Sequence, residues 1–488
     1  MKYTNKNQTN TNSSNTANTS GTARKNHKRK AIAAIMTIAL AMSASAYPLN
    51  SVHAVDPVNA YIAAKIIPSF SLPSLNPIKA AGKLLGLVSD SDDAVKKGKK
   101  VDNNYKFKAT KVANGSKTFK NSLNNNQNNQ NVILVQKTGK AKVKKAELIK
   151  TGHSDSEGHS LWRGQNAALL VAPYSQATIE NSTITTNGDG ASGIVGSGKK
   201  VKITAKDLTI RTNNRVSQGI GAAYGAEISL KQSNISTYGS QSPALATATK
   251  VDSTSLLMAS PFVLHGPKQP PTSSSTGTMK LNAINGEASN GTFGLLEGNT
   301  DVTFTNSQLK GANGFYLYQT DLGTAEKGTT KLTINQSRLT ETGSTPLFTI
   351  LGAKAQIKLQ GNTISQPSRA PFLQVLSGTG DTSDLNRAAA AINSTGNTNS
   401  QVRLQANQQA INGDILADRG SKLDIKLSQN STFTGAINPN NSAKQASLSL
   451  SKDSVWNVTG DSYLTELNND DSTNSNIHTN GHTVKIVK

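Results

Sequence analysis

The chain of 488 residues exceeds the usual single-domain size, so it holds several domains or one elongated repeat array. Its 35% apolar content, 5% aromatics and lack of cysteine favour a thin, distributed core and exclude disulfides, thiolate catalysis and cysteine-held metal clusters. The formal charge of +23 is uneven: residues 1–46 carry +7 and residues 47–150 carry +12, which leaves +4 for residues 151–488.

At the amino terminus, a polar Asn/Thr/Ser stretch (1–23) precedes the basic cluster RKNHKRK (24–30) and the uncharged run AIAAIMTIALAMSASA (31–46). That run is shorter than the roughly 20 residues a membrane span needs. With its basic flank and the small residues Ala44-Ser45-Ala46, it reads as an extended secretory signal peptide over 1–54, cleaved after Ala46 or, at Val52-His53-Ala54, after Ala54. An uncleaved anchor is the competing reading. No later apolar run reaches spanning length, so the mature protein is expected to be secreted or extracellular, either soluble or held at the cell surface by non-covalent contacts.

Residues 55–131 predict a basic, Pro- and Asn-rich linker or tether. Two apolar patches, NAYIAAKII and IKAAGKLLGLV, are split by Pro68, Pro73 and Pro77. The run NSLNNNQNNQN (121–131) reads as a low-complexity spacer, with order expected from Val132. Lys96, Lys97, Lys99 and Lys100 in KKGKK, with Lys142, Lys144 and Lys145 in KAKVKK, are candidate residues for electrostatic attachment to an anionic cell-envelope polymer. A solvated charged face is the plainer alternative. Nucleic acid is a poor partner, because no aromatics are interleaved for stacking and the chain is expected to be exported.

From Val132 onward a repeat emerges. The apolar anchors Val143, Ile179, Ile203, Leu230, Phe304, Ile334 and Leu359 are each followed five residues later by another apolar residue, Leu148, Ile184, Leu208, Ile235, Leu309, Leu339 or Ile364. Positions five apart fall on opposite faces of a strand and about 140° apart on a helix, so a bend is needed to bury both. Asn181-Ser182, Lys206-Asp207, Asn306-Ser307, Gln336-Ser337 and Gly361-Asn362 supply turn-forming residues between them. A third apolar cluster follows in each unit, as at Gly193-Ile194, Gly219-Ile220 and Leu347-Phe348. Three short strands in about 25 residues predict an all-β fold, a right-handed parallel β-helix (solenoid) over 132–488, with terminal coils at about 411–488. An antiparallel sandwich or barrel is the alternative for the same alternation. Residues 261–277 and 378–400 are expected to form protruding loops.

The stretches SLWRGQNAALLV (160–171), STITTNGDGASGI (182–194), INGDILAD (411–418), NSTFTGAIN (430–438), SVWNVTGDSYLTEL (454–467) and NIHTNGHTV (476–484) resemble exported β-helical surface proteins, adhesin-like and similar to pertactin-like autotransporter passenger segments. The resemblance spans about three quarters of the chain and implies binding or adhesion. Amphipathic strands for a translocator barrel are missing before Lys488, so self-translocation is not expected.

Polysaccharide-active enzymes share this fold and form the second functional expectation; a purely structural envelope component is the third. A glycosidase needs two carboxylates roughly 5–10 Å apart, yet acids are sparse between 160 and 376 and few share an aligned position. His153, Asp155, Glu157 and His159 in HSDSEGH alternate as metal ligands on a strand would, but their Gly and Ser neighbours favour a loop, and neither a metal site nor a cofactor is expected. Trp162, Trp456 and several tyrosines, among them Tyr174, Tyr238 and Tyr463, are candidates for sugar stacking, against the commoner role of packing. GSGKK (196–200) lacks the spacing of a phosphate loop.

Overall fold

The computed structural model describes residues 107–155, 160, 163–248, 277–319, 328–377 and 399–487. The chain divides into two units, Met1–Asp90 and Ser91–Lys488, and every described residue lies in the second. The signal peptide, the proline-split patches, Lys96, Lys97, Lys99 and Lys100, and most of both expected loops lie outside the described residues.

The described residues are all-β. Their strands build a 25-stranded sheet, with a 4-stranded and a 2-stranded sheet beside it. Lys140–Lys150 pairs in parallel with Gln176–Thr186, which pairs with Lys202–Thr212, which pairs with Glu227–Thr237. Each strand therefore lies on the equivalent strand of the neighbouring repeat, giving a solenoid-like stack.

Within Gln176–Thr186 the side chains alternate, with Ala177 and Ile179 buried and Gln176 exposed, until the alternation breaks once. The break is a corner. Asn181 has φ 48°, and the same left-handed turn recurs at Asp207 (56°), Gln232 (47°), Asn306 (50°), Gln336 (48°) and Gly361 (60°). One residue in this conformation redirects the strand so that Ile179 and Ile184, five apart, both enter the core. Asn, Asp and Gly adopt it at little steric cost.

A corner also pulls a backbone N–H out of the strand ladder, and a buried amide without an acceptor is costly. At several corners the residue after the turn answers this from the next repeat, whereas Ala146, Leu208 and Ile284 follow their corners with no side-chain acceptor. Ser182 Oγ accepts from Ala146 N at 3.1 Å, Ser337 Oγ from Ser307 N at 3.0 Å, and Asn362 Oδ1 from Ser337 N at 2.9 Å. Gln409 Oε1, Ser431 Oγ and Ser454 Oγ continue the series at 3.0–3.2 Å. A polar ladder thus runs inside the corner.

The third apolar cluster forms a further parallel stack, in which Ile194, Ile220 and Leu245 are vertical neighbours and Phe315, Phe348 and Leu373 continue it. Gly193 and Gly219 lead into it, where a Cβ would meet a carbonyl oxygen of the next repeat at 2.5 and 2.6 Å. Phe304, Phe315, Phe348 and Phe372 stack through the core with successive centroids 6.1, 5.7 and 5.4 Å apart.

Two expectations shift. Strands begin at Lys108–Ala113 and Ser116–Asn125, ahead of Val132. In addition, Ile179 and Ile184 lie beside Ala205 and Ile210 rather than Ile203 and Leu208. The five-residue spacing survives, but its first member is a small alanine that an apolar-anchor alignment passes over.

Candidate functional site

Vertical register turns strand alternation into outward columns. On the strand before the corner, the middle outward position runs Lys142, Thr178, Thr204 and Ser229, then Lys280, Thr303 and Thr333, then Lys358, Gln405 and Lys426. Each of these side chains is exposed or half-buried, flanked by inward apolar neighbours such as Ile357 and Leu359. Ser449 and Asn468 carry the column on.

The columns on either side differ in charge. Two residues earlier, Lys202, Glu227, Asp301, Lys331, Arg403 and Asp424 mix both signs. There Arg403 Nε meets Asp424 Oδ2 at 2.6 Å and Lys202 Nζ meets Glu227 Oε2 at 3.9 Å. Two residues later, Lys144 Nζ meets Glu180 Oε2 at 2.9 Å. That hydrogen bond, reinforced by the opposite charge, raises the Lys144 ammonium above its ordinary value and holds the Glu180 carboxyl below its own.

The three described tether candidates therefore separate. Lys142 and Lys144 share the outer face of Lys140–Lys150, Lys144 already paired with Glu180, while Lys145 occupies the corner at φ 48°. Lys280, Lys358 and Lys426, which complete the middle column, were not singled out from sequence. Their signal is the short pattern apolar-Lys-apolar in Met279-Lys280-Leu281, Ile357-Lys358-Leu359 and Ile425-Lys426-Leu427, the same frame as Leu332-Thr333-Ile334.

The other sequence candidates are placed as follows. Glu157, His159 and Trp162 lie outside the described residues. His153 Nδ1 accepts from Asp189 N at 3.1 Å and Asp155 accepts from Asn129 Nδ2, so the two reach towards different repeats. Among the described residues no group of three or more His, Asp or Glu is gathered as a metal cage would be. Trp456 is fully buried, donates from Nε1 to Gly435 O at 2.9 Å and stacks on Phe433 at 6.2 Å, which makes it a core residue. Tyr238 is covered by the Arg211 guanidinium at 4.2 Å, whereas Tyr174 is 51% exposed.

For acid–base chemistry Glu341 is a carboxyl whose proton affinity is raised, whereas Glu180, Asp453 and Asp471 are lowered. Burial pushes Glu341 up, opposed by hydrogen bonds from Gly343 and Thr345, and burial also raises the nearby Tyr316 phenol. Its vertical neighbour on the repeat before it is Gly311. On the strand-face columns Glu227 and Asp301 are separated by Thr278, two repeats apart.

The chain matches no family model, no curated protein and no solved structure.

Proposed function

We propose that this chain is a right-handed parallel β-helix that acts outside the cytoplasmic membrane as a non-enzymatic, adhesin-like glycan-binding protein. Right-handedness follows from the strong preference of parallel strand connections for that hand. Export is supported by the basic cluster and uncharged run at residues 24–46. The binding reading is carried by one observation, the middle outward column, in which Thr, Ser and Gln interspersed with lysine keep register from repeat to repeat on the face before the corner. Hydroxyls and amides held at about 4.8 Å intervals on a rigid sheet form a preorganised row of hydrogen-bonding groups. A polymer of sugar hydroxyls is the ligand class complementary to such a row.

The test is an array of immobilised polysaccharides and oligosaccharides probed with the full chain. Saturable retention on a subset is expected. Retention on none, with the protein folded by circular dichroism, defeats the reading.

A further inference from the structure

Resting on the glycan-binding reading, we infer that the middle column selects a linear acidic polysaccharide, lying along the stack, in which carboxylates are separated by neutral sugars. Lys142, Lys280, Lys358 and Lys426 all lie in this one column, and no acid shares it. None of the four makes an ion pair with a described residue, in contrast to Lys144, Lys202 and Arg403 in the columns beside it. The column two residues earlier, by contrast, mixes its basic residues with Glu227, Asp301 and Asp424.

Spacing decides the size of the ligand. From Lys142 to Lys426 there are nine pairings, or roughly 43 Å at about 4.8 Å each. The lysines divide this into four, three and two steps, roughly 19, 14 and 10 Å. Every interval exceeds the screening length of about 8 Å at physiological salt, so a small anion feels only one lysine of this column. A long chain meets all four, and each contact after the first forms at high effective concentration.

Composition decides the charge density. Between the lysines stand Thr178, Thr204 and Ser229, then Thr303 and Thr333, then Gln405, all neutral hydrogen-bonding side chains. A polymer with a charge on every unit would set most of its charges against hydroxyls. One with neutral sugars at the hydroxyl positions and uronates four, three and two sugars apart places hydroxyl against hydroxyl and carboxylate against ammonium, since a sugar ring and a repeat of the stack advance by similar distances. Strict alternation sets uronates opposite one pair at a time, Lys142 with Lys280 or Lys358 with Lys426.

Hyaluronan, which alternates a uronate with a neutral amino sugar, is a suitable probe in defined lengths, with dextran as its neutral counterpart. Fragments longer than the whole column should bind the full-length chain at least about tenfold more tightly than fragments shorter than the Lys142–Lys280 interval. Changing Lys142, Lys280, Lys358 and Lys426 together to Gln should abolish that gain. Changing the exposed turn residues Lys137, Lys199, Lys444 and Lys452 to Gln removes the same charge and should preserve it. Equal binding of short and long fragments, or equal losses in the two variants, overturns the inference. Dextran binding as tight as that of hyaluronan and indifferent to both variants also overturns it, yet leaves the glycan-binding reading standing. Absence of binding to either polymer overturns this inference, while the wider array decides the parent reading separately.

Discussion

Two regions of the interior solve burial in opposite ways. Around Phe348 the core is a run of rings, with Phe315 at 5.7 Å on one side and Phe372 at 5.4 Å on the other. Around Lys150 it is polar: the lysine is fully buried, and its ammonium donates to Gln127 O at 2.9 Å and Gly152 O at 3.0 Å, with Asn125 O at 3.5 Å. Both residues occupy inward positions of stacked strands. Because each repeat contacts mainly its two neighbours, interior chemistry can change along the stack without disturbing the fold.

The largest difference between the regions should appear on truncation. Phe348→Ala removes a buried ring that touches two others and should cost about 3–5 kcal/mol, read from the urea midpoint. A loss under about 1 kcal/mol would mean that the ring stack collapses onto the cavity and is not the rigid core described.

The lysine region should stand out by its pH dependence. Desolvation lowers the Lys150 amine from 10.5 to about 8. Between those two values the unfolded chain binds more protons than the folded one, so raising the pH through this window stabilises the fold. Below about pH 8 both states are charged and the burial penalty is complete; above the free-lysine value it is gone. Subtracting the profile of Lys150→Met isolates this residue from the other lysines. Wild type should gain on the variant between pH 8 and 10.5, and parallel profiles would show that the amine is solvated.

A smaller effect is expected at the polar corner ladder that both regions share. Ser337→Ala strips the acceptor from Ser307 N and should cost about 1–3 kcal/mol, with faster amide exchange at Ser307. Unchanged exchange there would show that water replaces the hydroxyl.

These residues also mark what was readable beforehand. The corners were legible at Asn181, Asp207, Asn306 and Gly361, and at Gln336 through its neighbour Ser337, because turn-forming residues stand there. Lys145, Gln232 and Ala283 take the same left-handed conformation without that signature. Ala205 was not legible, since a small inward residue carries no apolar signature. The asparagine-rich run concealed a strand for a related reason. Asn121 takes the left-handed conformation at φ 67°, Asn125 Oδ1 accepts from Gln127 N at 2.9 Å, and Asn128 and Asn129 accept from His153 N and Asp155 N. Side chains that build turns and cap amides look compositionally like a spacer. The lysine column was hidden because vertical register depends on the length of every repeat, and residues 249–276 lengthen the one between Ser229 and Lys280.

The smallest prediction concerns a corner that breaks the residue preference. Ala283 stands at φ 53°, where Asn306 and Gln336 stand in the repeats that follow. A Cβ in the left-handed region costs about 1–2 kcal/mol, a penalty that asparagine reduces through its local hydrogen bonding. Ala283→Asn should therefore stabilise the protein by about 0.5–1 kcal/mol, seen as a rise in the urea midpoint with its slope unchanged. Ala283 is only half-buried and the corner points outward, so little packing opposes the change. Destabilisation would show that the small side chain is required there, and that this corner differs from those beside it.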